Sequence, residues 1–111
     1  MIASRTNVLI TTIDTVAGHE IVQVIGLVRG STVRAKHIGT DIVAGLKNLV
    51  GGEMTGYSSL MAGAREQAID RMVAEAHAMG ANAVVGFRME TSAIMAGASE
   101  IVAYGTAVKL S

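Results

Sequence analysis

The chain has 111 residues, enough for one domain and one core. Half of them are hydrophobic and 16% are charged, against roughly a quarter in a typical soluble domain, which excludes an intrinsically disordered chain. Nine basic residues balance nine acidic ones and there is no cysteine; this leaves no net field for nucleic acid or an anionic membrane, no disulfide, no thiolate-held zinc and no thiol nucleophile.

In chain order, Val8 to Thr12 is a short β-branched run followed by turn signals at Asp14 and Gly18. Arg5, Thr11, Thr12 and Asp14 interrupt the apolar stretch that an export signal requires, so a cytoplasmic protein is expected. Glu20 to Gly30 (EIVQVIGLVRG) reads as the first strong strand, able to continue through Arg34 as a bulged extension. Both of its faces are largely apolar, which predicts burial on both sides. Thr40 or Asp41 can cap a short helix in DIVAGLKNLVGG, closed by Gly51 and Gly52.

A long helix is expected from about Thr55 or Gly56 to Met79, with Gly80 as its terminator. Leu60, Met61, Ala64, Ala68, Met72, Ala76 and Met79 form its apolar stripe, widened by Ile69 and Val73. The opposite side carries Arg65, Glu66, Asp70, Arg71, Glu75 and His77. Gly63 costs roughly 1 kcal/mol relative to alanine within a helix, which a close backbone contact would offset. Asn82 to Glu90 is a further strand, with Val85, Phe87 and Met89 expected on one face and Val84, Gly86 and Arg88 on the other. Ala96-Gly97-Ala98 marks a turn. Glu100 to Leu110 is the last strand, and Ala103, Gly105 and Ala107 leave a small-residue groove on it that a helix or another subunit could fill.

The order β-β-α-α-β-β describes an α+β domain: an antiparallel-rich sheet with one short and one long helix on one face. Seventeen alanines and 13 glycines bury little area each, and few charges remain to cover the outside. The composition therefore predicts a homo-oligomer with apolar surface buried between subunits.

GTDIVAGLKNLVGGE (Gly39 to Glu53), Tyr57, Ala64-Arg65-Glu66, GANAVVG (Gly80 to Gly86) and YGTAV (Tyr104 to Val108) together resemble the YbjQ-like family of small bacterial and archaeal proteins. The resemblance covers about Val24 to Val108. It implies a dodecin-like subunit assembling into a homopentamer or a decamer of two pentamers, and it brings a heavy-metal-binding label without agreed catalytic residues.

Soft metals favour thiolates, and this chain has none. His19, His37 and His77 show no HxH or HxxxH spacing. Glu66, Asp70 and His77 lie along one helical face at i, i+4 and i+11 and are the candidate metal ligands, with a solvated charged face as the plainer reading. Glu53, Tyr57 and Arg65 surround the start of the long helix and are the candidates for a small polar or anionic ligand, since free amides gather there. The plainer reading is an inter-subunit polar cluster.

No GxxxxGK[ST], GxGxxG or GxSxG motif is present. Met61, Met72 and Met79 read as core, and Phe87 reads as buried, against base stacking. The expectation is a ring-forming, non-enzymatic protein with a small-ligand or ion site at subunit interfaces and neither nucleic acid nor membrane as partner. The alternatives are a metal-ion binder and an enzyme with a composite interface site around Glu53, Tyr57 and Arg65.

Overall fold

The computed structural model describes residues 2–5, 7–35, 53–95 and 98–111. The expected short helix over residues 41–50, its cap at Thr40 or Asp41, its Gly51-Gly52 terminator and His37 lie outside the described residues.

Five strands form one mixed sheet: β1 (Ile2–Arg5), β2 (Val8–Thr11), β3 (Ile21–Ala35), β4 (Ala83–Met95) and β5 (Ala98–Leu110), in the order β1-β2-β4-β5-β3. All neighbours are antiparallel except β2 and β4, which run parallel. The helix α1 (Glu53–Ala78) lies between β3 and β4 in sequence and packs on one face. The fold is α+β, as the sequence predicts. The strand β1 has no counterpart in the sequence reading. It is four residues long and pairs antiparallel with β2, Arg5 lying opposite Val8, and Asn7 just before β2 adopts a φ of 62°. Asparagine tolerates that left-handed conformation better than most residues.

The larger core lies between α1 and the sheet. Ala64, Ala68, Met72 and Ala76 meet Val8, Ile10, Val28, Val84, Phe87, Ile101, Ala103 and Ala107. Alanine in the middle of the helix stripe lets the two layers come close. Closest approach is at Gly30 of β3, where a Cβ would collide with the Ala68 carbonyl oxygen and the Met72 amide nitrogen and lie 2.7 Å from the Arg71 Cβ. Gly63 differs from expectation: among the described residues nothing comes within 4 Å of a Cβ there, so the close contact belongs to Gly30.

The groove on β5 is filled from within the chain. Ala103 and Ala107 face α1, and a Cβ on Gly105 would lie 2.6 Å from Val84 Cγ1 and 3.0 Å from the Val85 carbonyl oxygen. Along β4 the expected alternation changes at a bulge. Gly86 has a φ of 64°, and the β4–β5 register shifts between Val85 and Arg88. The extra residue puts Val84, Phe87 and Met89 on the helix side and Val85 on the other, whereas strict alternation places Val84 opposite Phe87.

The helix ends in a Schellman arrangement, with Ala81 N donating to Ala76 O (3.0 Å), Gly80 N donating to His77 O (3.0 Å) and Gly80 at a φ of 85°. Met79 lies within this turn, just past the last helical residue, and is 43% exposed, so it is not core. Met72 is fully buried and Met61 packs partly against the core.

The second sheet face is only partly covered. Val16, from the β2–β3 connection, closes over Ala83, Val85, Val108 and Leu110 at one end. Among the described residues nothing covers the remainder, and β3 is not buried on both sides as its sequence predicts: Val22, Val24, Leu27 and Val33 are 60%, 66%, 65% and 53% exposed. The reason is position. At the sheet margin β3 pairs with β5 alone among the described strands, and α1 covers only its helix-facing side. The strand also sets the length of the molecule: 15 residues at about 3.3 Å each account for most of its 54 Å long axis.

Candidate functional site

Gln67, Arg71 and Glu75 are spaced i, i+4 and i+8 on α1 and so form one row along the helix. That row runs beside the outer edge of β3. Arg71 Nη1 donates to Ser31 O (2.6 Å), Arg29 N donates to Glu75 Oε1 (3.2 Å), and Arg34 Nη2 donates to Gln67 Oε1 (2.6 Å). Arg34 Nη1 also donates to Val33 O (3.2 Å). Behind them, the Thr32 hydroxyl donates to Ala64 O (2.9 Å) in the buried layer. The missing Cβ of Gly30 makes the arrangement possible, because it lets α1 approach near enough for side chains of ordinary length to reach the strand margin.

On the open sheet face, strand register brings Arg29, Tyr104 and Arg88 into one row across β3, β5 and β4. The next row is Ser31, Val102 and Glu90, and the Tyr104 hydroxyl reaches back to donate to Glu90 Oε1 at 3.4 Å. Arg88 Nη1 is held by the carbonyls of Thr12 (2.9 Å) and Phe87 (2.8 Å). Two guanidinium groups flanking a phenol can hold a polar or anionic group, with Glu90 limiting the net charge. The row is hidden in the sequence because Arg29, Arg88 and Tyr104 lie on three different strands. A polar residue recurring on the open face of each strand was the available signal.

The residues singled out from the sequence are distributed along α1 and beyond it. Glu53 and Tyr57 both belong to α1, which begins at Glu53 rather than Thr55 or Gly56; their side chains lie outside the described residues. Arg65 is exposed, about 12 Å along the axis from Tyr57 at 1.5 Å per residue. Glu66, Asp70 and His77 are all exposed on α1, and the eleven residues from Glu66 to His77 span about 16 Å, too far for a single ion to bridge. Among the described residues no group of three or more histidine, aspartate, glutamate or cysteine side chains is placed to hold a metal ion. His19 is exposed, with its Nδ1 2.9 Å from Ser111 O. Among the described residues no helix is long and apolar enough to cross a membrane.

The profile of the family YbjQ_1, described as "Putative heavy-metal-binding", matches residues 8–111. A UPF0145 protein of Methanosarcina acetivorans is 58% identical over 102 residues, covering 92% of this chain and 96% of that protein. A UPF0145 protein of Clostridioides difficile is 58% identical with 92% and 91% covered, and one of Archaeoglobus fulgidus is 53% identical with 93% and 95% covered. Among solved structures, a Pediococcus pentosaceus protein of unknown function from the DUF74 family superposes with a TM-score of 0.66. It covers 96% of this chain and 100% of that one at 14% identity, a likeness of fold alone. With a family profile spanning nearly the whole sequence and relatives well above half identity, the chain belongs to the YbjQ/UPF0145 family.

Proposed function

We propose that the protein is a dodecin-like subunit of a ring-forming homo-oligomer, non-enzymatic, which binds a small polar or anionic ligand or an ion at its subunit interfaces. The carrying observation is the strip of exposed Val22, Val24 and Leu27 along a strand with an open margin. A chain with only 16% charged residues and this much apolar surface turned outward is completed by association. A pentamer or a pair of pentamers is the closed form that the family resemblance implies. Within it Glu53, Tyr57 and Arg65 of one subunit meet surfaces of the next and are the first candidates for the ligand.

The family description favours a metal ion as cargo, and the spacing of Glu66, Asp70 and His77 then requires ligands from adjacent subunits. Native mass spectrometry with elemental analysis of the same untagged preparation tests both readings. A ring carrying additional non-metal mass supports the polar-ligand reading. A ring with stoichiometric metal supports the metal reading. A monomer at all concentrations overturns the assembly.

A further inference from the structure

Strand register sets a gradient of polarity along the open sheet face. Leu27, Thr106 and Val85 form one row across β3, β5 and β4, and Arg29, Tyr104 and Arg88 form the next. Beyond them come Ser31, Val102 and Glu90, then Val33, Glu100 and Ser92. The face thus passes from apolar through cationic to acidic, in steps of about 7 Å, two residues of strand. The bulge at Gly86 is what turns Arg88 onto the same face as Val85.

The two guanidinium groups of the cationic row are held differently. Arg88 Nη1 donates to Thr12 O (2.9 Å) and Phe87 O (2.8 Å), which anchors one corner of its group and points no carboxylate at it. Arg29 is held by its main chain, whose amide donates to Glu75 Oε1 (3.2 Å). Its exposed guanidinium makes no hydrogen bond or ion pair among the described residues. Half-buried Tyr104 stands between them, with its hydroxyl donating to Glu90 Oε1 (3.4 Å). Two strand spacings separate the Arg29 and Arg88 Cα atoms by about 10 Å, a gap that two arginine side chains and one oxyanion can bridge.

We infer that this row holds the carboxylate of a small organic monocarboxylate, whose apolar body lies over Leu27 and Thr106. This rests on the reading proposed above, in which a polar or anionic ligand is held where subunits meet, and it names the ligand class and the groups of one subunit that hold its charged end. Charge selects the class. Arg29, Arg88 and Glu90 together leave one net positive charge, which a single carboxylate balances. A phosphate dianion or a dicarboxylate brings a second negative charge toward Glu90 and Glu100. The planar guanidinium fork also matches the two oxygens of a carboxylate. The gradient selects the orientation: the acidic rows repel an anion on one side, and the row with exposed Leu27 receives an apolar body on the other.

The test is calorimetric titration of the assembled wild-type protein with octanoate at constant ionic strength. Octylamine supplies the same body with the opposite charge, acetate the same charge with almost no body, and inorganic phosphate the competing anion. Octanoate is expected to bind saturably, with each of the other three about tenfold weaker or more. Arg29→Gln is expected to weaken octanoate about tenfold at unchanged native mass. Arg29→Lys, which keeps the charge and loses the fork, is expected to fall between the two and serves where Arg29→Gln alters the mass. Glu90→Gln is expected to narrow the preference for octanoate over phosphate. Octylamine binding as tightly as octanoate overturns the carboxylate, and acetate doing so overturns the apolar body. Wild-type affinity in both Arg29 variants overturns the row. Where octanoate binding is instead lost in Arg65→Gln, the ligand belongs to the start of α1, and the reading proposed above stands without this site. A wild type that binds no octanoate overturns the inference and leaves the assembly, which is read from mass, untouched.

Discussion

The two faces of the sheet draw on the same small and branched residues, yet they are finished in opposite ways. On the helix side, Ala64, Ala68, Ala103 and Ala107 are fully buried, and at Gly30 the backbones come so close that no Cβ fits. On the other side, Val16 covers one end, and beyond it the surface passes to Leu27 and Val33, each more than half exposed. Small residues thus have a use only where a second layer presses on them. The helix-covered face is complete within one chain, and the open face is where association has something to gain.

Substitutions of increasing mildness separate the two faces. The largest effect is expected at Gly30→Val. The new Cβ would fall on the Ala68 carbonyl and the Met72 amide, which are helix backbone and cannot swing aside. We expect loss of cooperative folding, or destabilisation above about 4 kcal/mol in urea titration, outside the usual range for a point change. Gly105→Val ranks next. Its Cβ would sit 2.6 Å from Val84 Cγ1 and 3.0 Å from the Val85 carbonyl oxygen, and overpacking of this kind costs about 1–3 kcal/mol. Because the clash lies between β4 and β5 of the same chain, the loss should appear in the unfolding of the subunit itself; an unchanged midpoint would refute the placement.

Thr32→Val removes the buried hydroxyl that donates to Ala64 O and should cost about 1 kcal/mol, read as a lower denaturation midpoint at unchanged slope. Smallest, and opposite in sign, is Gly63→Ala. No described atom lies within 4 Å of the new methyl group, so helix propensity alone decides, and a gain of about 0.5–1 kcal/mol is expected. A loss at this position would show that a further surface closes over Gly63.

The reading of the long helix from its sequence succeeded because its evidence is local. Ala64, Ala68, Met72 and Ala76 recur at the helical period, and Gly80 follows where positive φ is needed. The strands were legible in part: β3 was expected to Arg34 and runs to Ala35, but its irregularities fall between Ile21 and Gly26 and not at Gly30 and Ser31, and β4 continues past the expected Glu90 to Met95, where pairing with β5 extends it. Faces were legible only where alternation is unbroken. The bulge at Gly86 exchanged Val85 for Val84 on the helix side, and nothing in NAVVGFRME announces where the extra residue falls. The strand β1 was missed because four residues carry too little pattern to distinguish from a terminus.

The candidate site was less legible than the fold. Arg29, Arg88 and Tyr104 are dispersed between positions 29 and 104 of the sequence, and only strand register makes them neighbours. The roles of Arg71 and Glu75 depend on the distance from α1 to β3, which Gly30 sets.

The amino-acid sequence by itself determined the class of fold, the helix with its terminator, the presence of the long strands and the family. These follow from periodicity, turn chemistry and residue identity, which act over a few residues at a time. Tertiary structure alone decided that β3 lies at the margin of the described sheet, that Val22, Val24 and Leu27 face outward, and that Arg71 and Glu75 reach its backbone at Ser31 and Arg29. Strand order is set by contacts between segments far apart in the chain, and a strand's own residues do not say whether it has one neighbour or two.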